Sequence, residues 1–155
     1  MAAEARKQQK LYFVYAQKDE VFKQEFEDYL INLQQNGFIA EWIERQAQRG
    51  TDWSQVNDPR LLEASLYVLL LSPALLATGY CSGMEFHTAL ARRQTGDMHL
   101  IPILLHKVDV TGNPLEAMQS LPGNRSPVSS WRERHEAWWE VYHDLQRALT
   151  QFSHR

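Results

Sequence analysis

SLYVLLLSPALLATGYCSGMEFHTAL, residues Ser65–Leu90, is the stretch on which the fold turns. Leu66–Leu71 is an uninterrupted apolar run, too short to span a membrane, and it suits a strand buried on both faces of a parallel sheet. Ser72-Pro73 ends that strand, because proline cannot donate to the ladder and restricts the residue before it. Thr78-Gly79 reads as a turn, and Ser82 to Leu90 as the first turns of a helix. Glu85 then stands just past the C-terminal end of a central strand, the edge at which open α/β sheets bind ligands.

The totals set the class. A chain of 155 residues is one ordinary domain, large enough to bury a core without staples. Its hydrophobic fraction of 44% and charged fraction of 23% are those of a soluble globular protein. A net charge of −3 gives no electrostatic reason to expect nucleic acid or an anionic membrane as partner. The single cysteine, Cys81, excludes an internal disulfide and any cysteine-rich zinc site, and suits a reducing compartment such as the cytoplasm. The first ten residues, MAAEARKQQK, are polar and lack the apolar core of a signal peptide. They read as a disordered lead-in over 1–10, with one domain over 11–152.

Outward from the opening stretch, strand and helix alternate. Leu11–Tyr15 is apolar and aromatic, the composition of a buried strand. Asp19 can cap the helix that follows, whose apolar residues from Val21 to Leu33 recur at helical spacing. Asn36-Gly37 closes that helix, and Phe38–Trp42 is a second strand. Glu44–Asp52 is polar and reads as a surface loop with Gly50 as its hinge. Asp58-Pro59 starts a helix. His99–Leu105 is a fourth strand, with Pro102 awkward inside it. Residues 108–127 are loop-rich, with room for a short helix near Leu115–Leu121 and a weak fifth strand. A last helix begins near Trp131 and carries an apolar stripe to Phe152.

Such alternation predicts an α/β, flavodoxin-like domain: a five-stranded parallel sheet in the order 2-1-3-4-5 with helices on both faces. Its switch point lies between strands one and three. That puts Tyr15–Asp19 and Ser72–Glu85 at the lips of one crevice, beside the Glu44–Asp52 loop.

Several pieces, in order and at matching spacing, resemble one known family. YFVYAQKDE at Tyr12–Glu20 is similar to the FISYSHKDE opening of bacterial TIR (Toll/interleukin-1 receptor) domains. WIERQAQRGTDW at Trp42–Trp53 resembles their WxDRxxxxGxxW loop, and LLLSPALLATGYC their LLLSPxFLxSxYC segment. The match continues through IPILL, PLEAMQSLP and PVSSW, and any one piece is far less specific than the ordered set. The resemblance implies the same fold and two functions. Many TIR domains cleave the N-glycosidic bond of NAD+, giving nicotinamide and ADP-ribose or a cyclised product; others only self-associate as scaffolds. It implies Glu85 as the catalytic glutamate, and a pocket lined by Tyr15, Ala16 and Gln17 after strand one and by Trp42, Glu44, Gly50 and Trp53 around strand two. Ser72 and Cys81 would stand at its wall. NAD+ would be substrate, with no prosthetic group and no metal. Other TIR domains and a fused sensor domain would be the partners. Ala16 and Gln17 depart from the usual Ser-His, and Glu44 replaces the commoner Asp.

Each residue also has a plainer reading. Ser82-Gly83-Met84-Glu85 spells a capping box, in which Glu85 would bond back to the cap residue's N–H. Position and resemblance favour catalysis. Trp42 ends a strand and can simply point inward, whereas Trp53 is the better candidate for a ligand or partner surface. His87 lies about 200° round a helix from Glu85 and reads as packing. Cys81 has no nearby base to activate it and reads as packing at the pocket wall. Lys107 and Arg92-Arg93 read as solvated charges. A phosphoacceptor receiver on the same fold would need Asp at the end of strand three, where Leu71-Ser72-Pro73 stands.

Overall fold

In the computed structural model, which describes residues 9–123 and 126–153, the run Leu66–Leu71 forms β3 with all six residues buried. β3 has a parallel neighbour on each side, β1 (Lys10–Ala16) and β4 (His99–Leu104), and β2 (Glu41–Ala47) pairs in parallel with β1. The order is β2-β1-β3-β4, which puts the reversal of winding between β1 and β3 as expected. A strand covered on both faces has no solvent side to alternate toward, hence its unbroken apolar sequence.

Alternate residues of β3 feed two cores. Leu66, Val68 and Leu70 pack with α1 (Glu20–Gln35) and α4 (Arg134–Ser153), through Phe26, Leu30, Trp138 and Leu145 among others. Tyr67, Leu69 and Leu71 pack on the other face with Leu75 of α2 (Pro73–Ala77) and with Phe86 and Ala89 of α3 (Met84–Gln94). The lead-in expected over 1–10 lies mostly outside the described residues, although Lys10 itself opens β1. Among the described residues no helix is long and apolar enough to cross a membrane.

Four expectations are corrected. The sheet has four strands, not five: beyond β4 the chain meets it at a single bridge, Ile103 with Leu121. There Leu104 N–H donates to Leu121 O (2.8 Å) and Leu121 N–H to Pro102 O (2.9 Å). Leu121 uses both its N–H and its carbonyl in this bridge, and among the described residues it alone makes it. Pro102 itself is tolerated because its carbonyl, and so its nitrogen, face this outer edge. The second strand runs Glu41–Ala47, and the polar loop begins only at Gln48. β2 is an edge strand, half-exposed along most of its length, so its composition mimics a loop. Asp19 precedes α1 but makes no capping bond; it accepts instead from Ser72 Oγ (2.5 Å). The short helix near Leu115–Leu121 is a 3-10 turn, Pro114–Ala117, opened by the Asn113 side chain.

Candidate functional site

Two glycines aim the helix that carries Glu85. Gly79 takes a left-handed φ of 81°, turning the chain out of α2 into the 3-10 turn Tyr80–Ser82. Gly83 then lies directly against the 48–58 loop, where a Cβ would come within 2.6 Å of Trp53 Cβ and 2.7 Å of its carbonyl oxygen. Met84 N–H donates to that carbonyl (2.8 Å), latching the loop onto the first turn of α3. The helix thus starts at Met84 with Glu85 pointing at the sheet.

Glu85 is 1% exposed and every contact of its carboxylate is a donor. Oε1 accepts from Arg45 Nη2 (2.5 Å) and from the Asp58 N–H (2.8 Å). Oε2 accepts from Tyr80 Oη (2.8 Å), Arg45 Nε (3.2 Å) and Tyr12 Oη (3.3 Å). A two-point arginine pair reinforced by further donors is what a buried carboxylate requires. The capping box is therefore not formed. Gly83 is the cap residue, Ser82 N–H and Oγ both turn back to Gly79 O, and Arg45 holds the oxygens the box would need.

The network extends outward and inward. Arg45 keeps 21% side-chain exposure and lays its guanidinium 5.1 Å from the Trp53 ring centroid. Tyr12 Oη is also 3.2 Å from Asp58 Oδ2, and its one proton serves either carboxylate at a time. Arg60 holds Asp58 through Nη2 (2.7 Å) and Nε (3.1 Å), and draws its carboxyl down to about 2. Tyr67 Oη donates to Tyr80 Oη (2.7 Å), and burial pushes both phenols well up.

Sheet alternation separates the residues expected to share a pocket. Tyr15, Trp42 and Glu44 lie on the α1/α4 face, away from Glu85: Tyr15 Oη donates to Glu44 (3.1 Å), and Lys23 pairs with Glu44 (3.0 Å). Ala16 and Gln17 line a cleft of about 390 Å³ at the C-terminal ends of β1 and β2, next to the loop where Gly50 takes a φ of 84°. Trp53, expected at a surface, is 5% exposed, stacked edge-on to Tyr80 and bonded to Gln48 O (3.3 Å). Ser72 is buried; it accepts from Leu75 N–H (3.0 Å) to cap α2. Cys81 is buried, which pushes its thiol up to about 12. His87 turns Nδ1 to Gly83 O (2.7 Å), and Arg92 holds the carbonyls of Leu61 and Ala64 (2.9 Å each). Among the described residues, no group of three or more His, Cys, Asp or Glu could hold a metal ion.

Arg45, Tyr12, Tyr80 and Asp58 are the partners that sequence reasoning missed. The signal for Arg45 is the two-residue period of β2. With Glu44 facing Tyr15, Arg45 must share the face of Tyr12.

With this geometry in place, comparison with known proteins is decisive. The family profile described as TIR domain matches residues 12–147. The chain belongs to the TIR family. The TIR domain is also similar to the uncharacterized protein y4lF of Sinorhizobium fredii (strain NBRC 101917 / NGR234), 28% identical over 131 residues. That alignment covers 84% of this chain but 41% of the relative, so the chain spans less than half the length of the protein it matches. No solved structure matches the TIR domain.

The Gly83–Trp53 contact makes a first prediction. Gly83→Ala places a methyl into backbone as well as side chain of Trp53, and overpacking of this kind costs about 1–3 kcal/mol. A thermal melt should show Tm lowered by several degrees. An unchanged melt would mean that the loop is not latched there.

Proposed function

We propose that this TIR domain is an NAD+ nucleosidase. It breaks the nicotinamide–ribose bond to give nicotinamide and ADP-ribose or a cyclised ADP-ribose, with Glu85 as the catalytic residue. The observation that carries the reading is the position of Glu85: a carboxylate at the start of α3, on the sheet face that leads to the cleft at the β1/β2 ends. Cleavage of this bond develops positive charge on the ribosyl carbon, which a fixed carboxylate stabilises as in glycoside hydrolysis. Nicotinamide leaves from a cationic ring, so no general acid is needed to expel it, and one carboxylate suffices.

In the conformation described, Arg45 and three other donors occupy both oxygens of Glu85. The ribose meets Glu85 only once Arg45 gives way. Arg45 is capped by Trp53 of the 48–58 loop, so self-association through that loop is the event that frees the site. We place the domain as the effector part of a larger cytoplasmic prokaryotic immune or signalling protein, with a fused sensor triggering assembly.

The test follows nicotinamide release across protein concentration, with light scattering in parallel. The rate per protein should rise as the domain assembles. Gly50→Pro should blunt the rise, because proline cannot adopt the positive φ there. A full rate in the monomer overturns assembly control. The same saturation of Glu85 favours a second reading, a non-enzymatic scaffold in which Glu85 only braces α3. Assembled protein that releases no nicotinamide would establish it.

A further inference from the structure

Five hydrogen bonds converge on the Glu85 carboxylate, more than the about four lone-pair sites that an ionised carboxyl offers. They divide by origin. Arg45 supplies two of them from β2, and the Asp58 N–H a third from the end of the 48–58 loop. Tyr12 and Tyr80 supply the others, from β1 and from the 3-10 turn before α3. Tyr12 Oη stands as near to Asp58 Oδ2 (3.2 Å) as to Glu85 Oε2 (3.3 Å), so its single proton is divided between them. Tyr80 Oη has Glu85 as its one acceptor among the described residues, at 2.8 Å. It is the donor dedicated to Glu85 that neither Arg45 nor the loop provides.

Tyr80 is also fixed from behind. Because it gives its proton to the carboxylate, Tyr67 must donate to Tyr80, and the 2.7 Å contact between their hydroxyls has one direction. Tyr67 belongs to the central strand β3, and both rings are fully buried. Burial pushes both phenols well above their ordinary value, so the relay keeps its protons. The Tyr80 backbone is held by Thr78, whose Oγ1 accepts from Tyr80 N–H (3.2 Å) and donates to Leu75 O (2.6 Å). A movement of the 48–58 loop that frees Arg45 takes away the Trp53 ring, 5.0 Å from that of Tyr80, but none of these bonds.

We infer that Tyr80, backed by Tyr67, is the positioning residue that keeps Glu85 in place once Arg45 gives way. Its consequence for cleavage rests on the nucleosidase reading; the hold on Glu85 does not. Thermal melts read the hold. Tyr80→Phe should lower Tm further in an Arg45→Met background than in the parent, because there it removes one of three bonds to Glu85 rather than one of five. Arg45→Lys, which keeps the charge but lacks the two-point fork, should give the same ordering where Arg45→Met does not fold. An equal or smaller fall in these backgrounds overturns the hold. Nicotinamide release by assembled protein reads the consequence. Tyr80→Phe should lower kcat about tenfold or more with KM unchanged, the scale of one hydrogen bond to a charged group. That variant leaves Tyr67 Oη without its acceptor. Tyr67→Phe with Tyr80→Phe removes the orphaned hydroxyl as well, and should regain part of the Tm while kcat stays low. A kcat that is undiminished in Tyr80→Phe, or that recovers with Tm in the double variant, overturns the positioning role. An intact assembled domain that releases no nicotinamide, yet shows the larger Tm fall, keeps the hold and removes the nucleosidase.

Discussion

Glu85→Gln should slow nicotinamide release by assembled protein on the order of 100-fold or more, the scale on which one preorganised electrostatic partner acts. It should also destabilise. Glutamine fits the space but leaves Arg45 facing a neutral amide, and breaking a buried pair costs about 3–5 kcal/mol, with the low end expected here because Arg45 keeps some exposure. A thermal melt would read this as a Tm fall on the order of 10 °C. The two effects are separable, since Arg45→Met with Glu85→Gln removes both charges and replaces the pair with matched uncharged groups. Stability should then recover while cleavage does not. Cleavage that returned with stability would make Glu85 a structural brace and remove it from the chemistry.

Leu69→Asp should abolish soluble protein. Leu69 is fully buried in the middle of β3, opposite Val14 of β1 and Pro102 of β4. An unpaired carboxylate there costs several kcal/mol in desolvation on top of about 2–5 kcal/mol for the lost leucine packing. Total stabilities of about 5–15 kcal/mol do not absorb that sum. Leu69→Met, which conserves volume, should melt cooperatively within about 1.5 kcal/mol of the parent. Soluble Leu69→Asp with a cooperative melt close to the parent would contradict a strand covered on both faces.

What was legible in advance followed how much of the signal each element carries locally. β3 and α4 announce themselves by unbroken or periodic apolar residues, because each contributes to the core along its whole length. β2 did not, since an edge strand with Glu44, Arg45 and Gln46 exposes enough polar surface to look like a loop. The fifth strand failed for a different reason. Leu121 meets β4 at a single bridge, one residue pair among the described residues, which is too short to make a strand. At the site, the position of Glu85 past a central strand was readable, as was the motif that the family profile confirms over residues 12–147.

Sequence alone thus determined the α/β class, the parallel strand order around β3, the family, and which carboxylate to ask about, because those depend on patterns confined to single elements or on motifs read in order. Only the tertiary structure decided what Glu85 meets. Arg45 is 40 residues away, Tyr12 is 73, and Asp58 is 27. Their convergence depends on which face each strand residue takes, and that is set by register. The same parity carried Tyr15, Trp42 and Glu44 to the opposite side of the sheet, close to Glu85 in motif but separated from it by the full thickness of a strand layer.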